Sequence, residues 1–473
     1  MIDVLPDRDY PVLFLGEKRF NMDERNQFTE GKIVPKLIRF ALPVLLAMCV
    51  QSLYGAVDLL IVGQFGVPAD VSAVSIGGQM MMMVTMMLSG LAMGTTILLG
   101  QAIGSGEKKL CGNIIGTSIV FFLIVAAGIT VIMEALVVVF TKMLDTPVES
   151  FSQTIAYTRI CGGGTILVAA YNLLGSIFRG LGDSKTPLIA VIIASVVNIL
   201  GDLLFVAVFK MAAAGAALAT VLAQGVSVVL CVLIVKRKGL PFEFSKSNIR
   251  LNGKLTKRIL SIGLPIALQD ALVSVSFLII NGITNGLGVI ASAGVGVAGK
   301  ICNFVMLAPS AFAQSLSAFV AQNIGAGKKQ RARQSMLCGM IASLILGAVM
   351  AYVAYFHGHL LSAIFTKDGE VIVAAANYLK AYAIDTFMVC FLFCFIGYFN
   401  GCGRTTFVMI QGLIGALVVR VPASFIMANL ENTTLFKIGL ATPISTVAQM
   451  ICCVIYFAVM LKKEKKSAER LSA

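Results

Sequence analysis

Residues 100–109 read GQAIGSGEKK, and residues 321–330 read AQNIGAGKKQ. Gln101, Gly104, Gly106 and Lys108 of the first stretch return as Gln322, Gly325, Gly327 and Lys329 of the second, 221 residues further on. The same offset carries Phe178 of FRGLGDSKT onto Phe399 of FNGCGRTTF, and Tyr157 with Arg159 onto Tyr378 with Lys380. LPVLL at Leu42 matches LPIAL at Leu264, 222 residues apart. Separated matches at one spacing mark an internal duplication, so the chain reads as two copies of one plan.

Each copy is filled with long apolar runs. A helix needs about 20 apolar residues to cross a bilayer, where lipid offers no partner to backbone N–H and C=O groups. Twelve runs meet that length: 40–65, 71–100, 114–140, 155–178, 187–209 and 211–235 in the first half, then 260–287, 289–320, 336–356, 371–399, 406–427 and 438–461 in the second. Six spans per half start the second copy on the same face as the first, which makes the repeat parallel, with its axis along the membrane normal. The expected fold is an all-α integral membrane protein of twelve transmembrane helices in two six-helix bundles. The expected divisions are a cytoplasmic N-terminal segment at 1–35, an N-lobe at 36–235, a cytoplasmic linker at 236–258, a C-lobe at 259–461 and a basic cytoplasmic tail at 462–473.

Composition agrees. Of 473 residues, 58% are hydrophobic and 13% charged, with a mean hydropathy of +0.92, whereas soluble domains carry about 25% charged residues. The formal charge of +14 would suit a nucleic-acid binder if it formed one surface, but it falls in bursts between runs. Lys108 and Lys109, Arg179 and Lys185, Lys236 to Lys238, Lys328 to Arg333, and Lys462 to Lys466 lie on alternate connections, while the opposite ones hold Lys142, Lys210, Lys367 and Lys437. The positive-inside rule therefore places both termini in the cytoplasm of a multi-pass plasma-membrane protein and removes the case for nucleic acid. The first 30 residues are polar and mixed in charge, without the short apolar core of a cleavable signal. Eleven scattered cysteines give neither a disulfide framework nor zinc spacing. With no nucleophile and base motif, no catalytic residue, metal or organic cofactor is expected.

An ionisable residue inside a span costs about 2.5–3.5 kcal/mol on insertion scales and is a functional candidate by default. Asp58 lies mid-span in QSLYGAVDLLIVGQ, on one helical face with Gln51, Tyr54 and Gly55; its repeat partner is Ile280. Asn198 and Asp202 of NILGD are four apart and share a face; their partners are Arg420 and Ser424, so the second half lacks these acids. Thr220, one span on, adds a hydroxyl. Two carboxylates, an amide and a hydroxyl suit a proton or a hard cation, because two carboxylates sharing an apolar site cannot both stay ionised cheaply.

On these residues the chain resembles the multidrug and toxic compound extrusion (MATE) family of secondary transporters. The resemblance rests on TEGKI before the first span, ALPVLL and YGAVDLLIVGQFG within it, GQAIGSGEKK after the second, RGLGDSKTP after the fourth, NILGD in the fifth, and weaker copies in the second half. It implies two six-helix lobes that alternate access, export of cationic or amphiphilic compounds, and antiport with H+ or Na+. Carried over residue by residue, the cation-coupling site is similar to Asp58, Asn198, Asp202 and Thr220. Some branches of the family place an acid deeper in the seventh span; here the nearest is Asp270, early in that helix.

Candidate substrate contacts are Gln51, Tyr54, Gln79, Met82, Met86, Asp270, Lys300 and Asp385. Met80 to Met83, Met86 and Met87 give the second span a soft surface of the kind promiscuous sites use, although core filling is expected of most of them. Lys300, the partner of Gln79, is expected to pair with an acid, and Asp385 sits near Lys380. The lone GxGxxG at Gly294 lies in an apolar run, where close helix packing is expected rather than a dinucleotide. Expected partners are small cationic or amphiphilic molecules and membrane lipid, and the expected state is a monomer. The alternative is a lipid-linked saccharide flippase of the same superfamily, which should need a large basic cavity for a pyrophosphate. A receptor or channel lacks support from a filter or sensor domain.

Overall fold

The computed structural model describes residues 28–472, and the polar leader before Phe28 lies outside the described residues. In chain order the helices are α1 (Ile33–Phe65), α2 (Pro68–Gly104), α3 (Lys108–Met143), α4 (Val148–Gly163), α5 (Thr165–Leu181), α6 (Lys185–Asp202) and α7 (Ala212–Lys238), then α8 (Gly253–Asn285), α9 (Val289–Gly325), α10 (Lys329–Phe356), α11 (Gly358–Ala363), α12 (Gly369–Gly401), α13 (Thr405–Leu413), α14 (Val421–Ala428), α15 (Leu435–Gly439) and α16 (Ala441–Ser472). Among the described residues, eleven helical segments are long and apolar enough to cross a membrane, and the bent pair α4 and α5 supplies the twelfth span.

The fourth span, expected as one run over 155–178, is broken at Gly164 by a bend of 49°. Gly162, Gly163 and Gly164 follow one another at the bend, and a Cβ on Gly164 would lie 2.5 Å from the Val221 side chain of α7. Its counterpart in the second half, α12, is unbroken. The fifth spans of both halves carry a π-helical turn, Leu203–Val208 after α6 and Ile414–Arg420 after α13, a distortion that often marks functional positions in helices.

The repeated motifs prove to be helix ends. Gly106, Gly182, Gly327 and Gly403 have φ between 72° and 83°, left-handed backbone that glycine adopts without a Cβ penalty. Glu107 N donates to Ala102 O, Lys328 N to Asn323 O, Asp183 N to Phe178 O and Arg404 N to Phe399 O, the six-to-one bond of a Schellman cap. These four ends gather at the end of the molecule where the Lys and Arg bursts lie, here termed the basic end.

Two aromatic and aliphatic cores organise the bundles. One joins Leu88, Leu98, Ile114, Phe122 and Phe178; the other joins Leu316, Phe319, Phe395, Tyr398 and Phe399. Helix α1 belongs to both sides. Leu37, Phe40 and Val44, with Phe28 just before the helix, pack in the core of the second half, while Ile61 and Val62 pack with Val74, Val206, Ala216 and Ala217 of the first. The halves meet closely at the basic end, along α2, α8 and α9. A Cβ on Gly90 would lie 2.6 Å from Ala267, one on Gly94 2.5 Å from Ile259 O, and one on Gly263 2.6 Å from Leu91 O, the close approach that small residues permit between membrane helices.

Away from the basic end the same faces separate. Met86, Met83 and Gln79 follow Gly90 on one face of α2 at spacings of four, three and four residues, yet Met83 is 61% exposed and Gln79 is exposed as well. On α8, Asp270 follows Ala267 by three residues and is exposed on its helix. The faces of α2 and α8 that meet at the basic end are thus exposed towards the other end, and the space between the halves there is termed the cleft.

Candidate functional site

The first half brings its intramembrane acids together. α1 presents Asp58, α6 presents Asn198 and Asp202 one turn apart, and α7 presents Thr220. Asp58 is 6% exposed, and Asn198 and Asp202 are fully buried. Thr220 Oγ1 donates to Asp58 Oδ2 at 3.4 Å, and Asn198 Nδ2 donates to Thr220 Oγ1 at 3.5 Å. Asp58 and Asp202 are neighbours. Asp58 Oδ1, Asn198 Oδ1 and both carboxyl oxygens of Asp202 are buried without any hydrogen-bond donor. Acceptors thus outnumber donors in an enclosed space, and an unpaired buried acceptor typically costs about 1–3 kcal/mol. A proton, or a small cation that accepts oxygen ligands, resolves the excess.

One turn further towards the basic end, Tyr54 lies beside Gln224. Tyr54, Tyr171, Ser195, Gln224 and Ser227 line a cavity of about 10 Å³. Gln224 was not anticipated, although its place four residues after Thr220 on the same face was the available signal. Gln51 is half-buried on α1.

The second half repeats the geometry with different chemistry. Arg420 stands where the first half has Asn198. Its Nη1 donates to Ser276 Oγ at 3.3 Å, and its guanidinium lies 4.6 Å from the Phe277 ring centroid. Asp385 is 1% exposed and accepts from Thr446 Oγ1 at 2.5 Å; it makes no ion pair with Lys380. Lys300 has no acidic partner among the described residues, and its ammonium lies 5.7 Å from the Phe365 ring centroid. The expectation that it pairs with an acid fails: the long side chain reaches an aromatic face instead.

The cleft places Asp270 of α8 just beyond the last close contact of the halves and in register with Met83 and Met86 of α2. Met82 is also exposed, but lies roughly 80° round the helix from the line through Gly90. Met80 and Val84 point the other way, into the core of the first half.

Two parallel six-span halves about a cleft, with a donor-poor acid cluster buried in one of them, define a polytopic membrane transporter. The MatE family model matches residues 43–204 and again 265–426, one match per repeat, and the chain belongs to the MatE family. It is 24% identical to the probable multidrug resistance protein YoeA of Bacillus subtilis strain 168, over 92% of this chain and 97% of that one. It is 25% identical to the probable multidrug resistance protein NorM of Thermotoga maritima, over 86% and 88%. The fold superposes with a TM-score of 0.87, at 21% identity, on a solved structure described as the outward-facing conformation of a multidrug resistance MATE family transporter, covering 95% of this chain and all of that one.

Proposed function

We propose that this protein exports cationic, amphiphilic small molecules across the plasma membrane in exchange for inward-moving protons or sodium ions. In this reading the lobes, 36–235 and 259–461, rock about the cleft, joined by the 236–258 connection, with both termini and the 462–473 tail in the cytoplasm, and a single chain suffices. The observation that carries it is the excess of buried acceptors at Asp58, Asn198 and Asp202 beside the Thr220 hydroxyl. The coupling cation satisfies those oxygens; the exported cation meets Asp270 while its apolar body lies on Met83 and Met86. The names of the relatives, multidrug resistance proteins, support the substrate class. A pyrophosphate-linked saccharide fits poorly, since a large basic cavity would need more than the intramembrane Lys300 and Arg420, and Asp270 opposes an anion.

Reconstitution into proteoliposomes with proton and sodium gradients imposed separately tests the reading. Export of a cationic dye should follow one of the two gradients, and Asp58→Asn or Asp202→Asn should lower the driven rate at least tenfold with the protein still inserted. Dye movement that neither gradient drives, or full rates in both variants, would remove the proposal.

A further inference from the structure

Gln101 and Gln322, with which the repeat announces itself, have no part in the acid cluster or the cleft. Each lies in the last turn of its helix, α2 or α9. Gln101 Nε2 donates to Gly401 O at 3.2 Å, and Gln322 Nε2 donates to Gly180 O at 2.8 Å. Gly180 and Gly401 are themselves 221 residues apart. Both accepting carbonyls belong to the final turn of a helix, α5 and α12, where carbonyls have no downstream amide of their own helix to accept from. Each half thus caps a helix end of the other half, in a pair related by the axis of the repeat.

The glycines of the same motif allow it. A Cβ on Gly104 would overlap Gln322 O, and one on Gly325 would overlap Gln101 O. The two caps are not equal. Gln322 is 2% exposed and makes the shorter bond. Gln101 lines a cavity of about 210 Å³ at the seam, with Ser105, Glu107, Arg258 and Ile324, so solvent reaches its side first.

We infer that Gln101 and Gln322 form a two-fold clasp that holds the cleft shut at the basic end, and that inward opening begins at Gln101 and is completed when Gln322 releases Gly180. The clasp rests on the alternating-access reading but is tested without substrate or gradient, so the two fail separately. Closing the seam buries the Gly180 carbonyl; without the glutamine donor that carbonyl is unpaired only in the closed state, which shifts the population towards the open one.

Hydrogen–deuterium exchange of the full-length protein in lipid nanodiscs reads seam closure directly. Gln322→Leu should speed exchange over residues 100–106 and 321–327 by about three- to tenfold, as expected for loss of one buried hydrogen bond. Gln322→Met, close in length but without the donor, should match it; Gln101→Leu should give a smaller rise; Gly104→Ala, which wedges the seam and leaves both amides intact, should move exchange the same way. Ser105→Ala, whose hydroxyl bonds within its own loop, should leave these segments unchanged. Unaltered exchange in Gln322→Leu and Gly104→Ala overturns the clasp, as does an equal rise in Ser105→Ala. A larger effect from Gln101→Leu than from Gln322→Leu overturns the order of opening. If Gln322→Leu fails to insert, Gln101→Leu and Gly104→Ala decide the matter, since unchanged exchange in both is equally fatal.

Discussion

Within the acid cluster, Thr220 holds a position that its modest chemistry understates. Its hydroxyl is the donor that Asp58 Oδ2 receives and the acceptor that orients Asn198, so one oxygen links three helices around the carboxylates. Valine has the same shape and no hydroxyl. Thr220→Val should therefore lower gradient-driven export about ten- to a hundredfold while Thr220→Ser retains most of it, since one hydrogen bond to a charged group contributes about 1.5–3 kcal/mol. Initial rates in proteoliposomes at matched protein density check this; equal rates for valine and serine would show that the hydroxyl is a bystander. Arg420 makes the contrasting case in the second half. Where Asn198 offers an amide beside two acids, Arg420 brings a permanent cation, seated on Phe277 and Ser276. A position that already carries a covalently tethered positive charge has no use for a mobile one, which supports the proposed coupling at Asp58 and Asp202 of the first half.

At the scale of elements, two departures from an ideal bundle bear on stability. At the bend between α4 and α5, Val221 occupies the space a side chain at Gly164 would need. Gly164→Leu should destabilise the first half by about 1–3 kcal/mol, the usual range for overpacking, visible as a lower thermal midpoint in detergent with little change in the second half's exchange pattern. The start of α1 is tied down differently. Arg331 donates from Nε to Phe28 O, from Nη1 to Gly31 O and from Nη2 to Glu30 O, while the Phe28 ring stacks on Phe319 with centroids 4.6 Å apart. Arg331→Ala should lower the thermal midpoint and speed proteolysis around Phe28; a protease pattern identical to that of the parent would mean the strap is held by the ring alone. Both features were hidden in the sequence for a physical reason. Apolar length and the 221-residue offset report which segments cross the membrane, and glycines at fixed places in the repeat report where helices stop, so span number, parallel halves and helix ends were readable. The contact of Gly164 with Val221, or a strap that joins residue 28 to residue 331, is set by packing between segments far apart in the chain. The cluster was readable in part: Asp58, Asn198 and Asp202 stood out as costly exceptions to an apolar background, whereas Gln224 lay on a half-polar face and drew no attention. Likewise the methionine run gave residue type without direction, and only the packing of Gly90 against Ala267 sets Met83 and Met86 towards the cleft.

Across the whole molecule, the duplicated plan supplies the frame, and the proposed function rests on where its symmetry is broken. The clasp motifs are kept in both halves, as a seam that must close on itself requires, while the acid cluster is kept in one and the cleft carboxylate, Asp270, in the other. In the proposed cycle, cation and exported compound meet different residues on different halves, and exchange then requires that each weaken the other's hold. Coupling between two equilibrium sites is reciprocal: if the loaded acid cluster lowers affinity for the compound by some factor, the compound lowers affinity for the ion by the same factor. Binding of a fluorescent lipophilic cation to purified protein should therefore weaken roughly five- to a hundredfold, the range typical of allosteric coupling, when the driving ion is raised from absent to saturating. The variants should divide cleanly. Asp58→Asn and Asp202→Asn should leave the cation bound with near-parental affinity but insensitive to the ion, whereas Asp270→Asn should bind it about tenfold more weakly with the ion dependence intact. Loss of ion sensitivity in Asp270→Asn, or its survival in both cluster variants, would place the coupling in the cleft rather than in the buried acids of the first half.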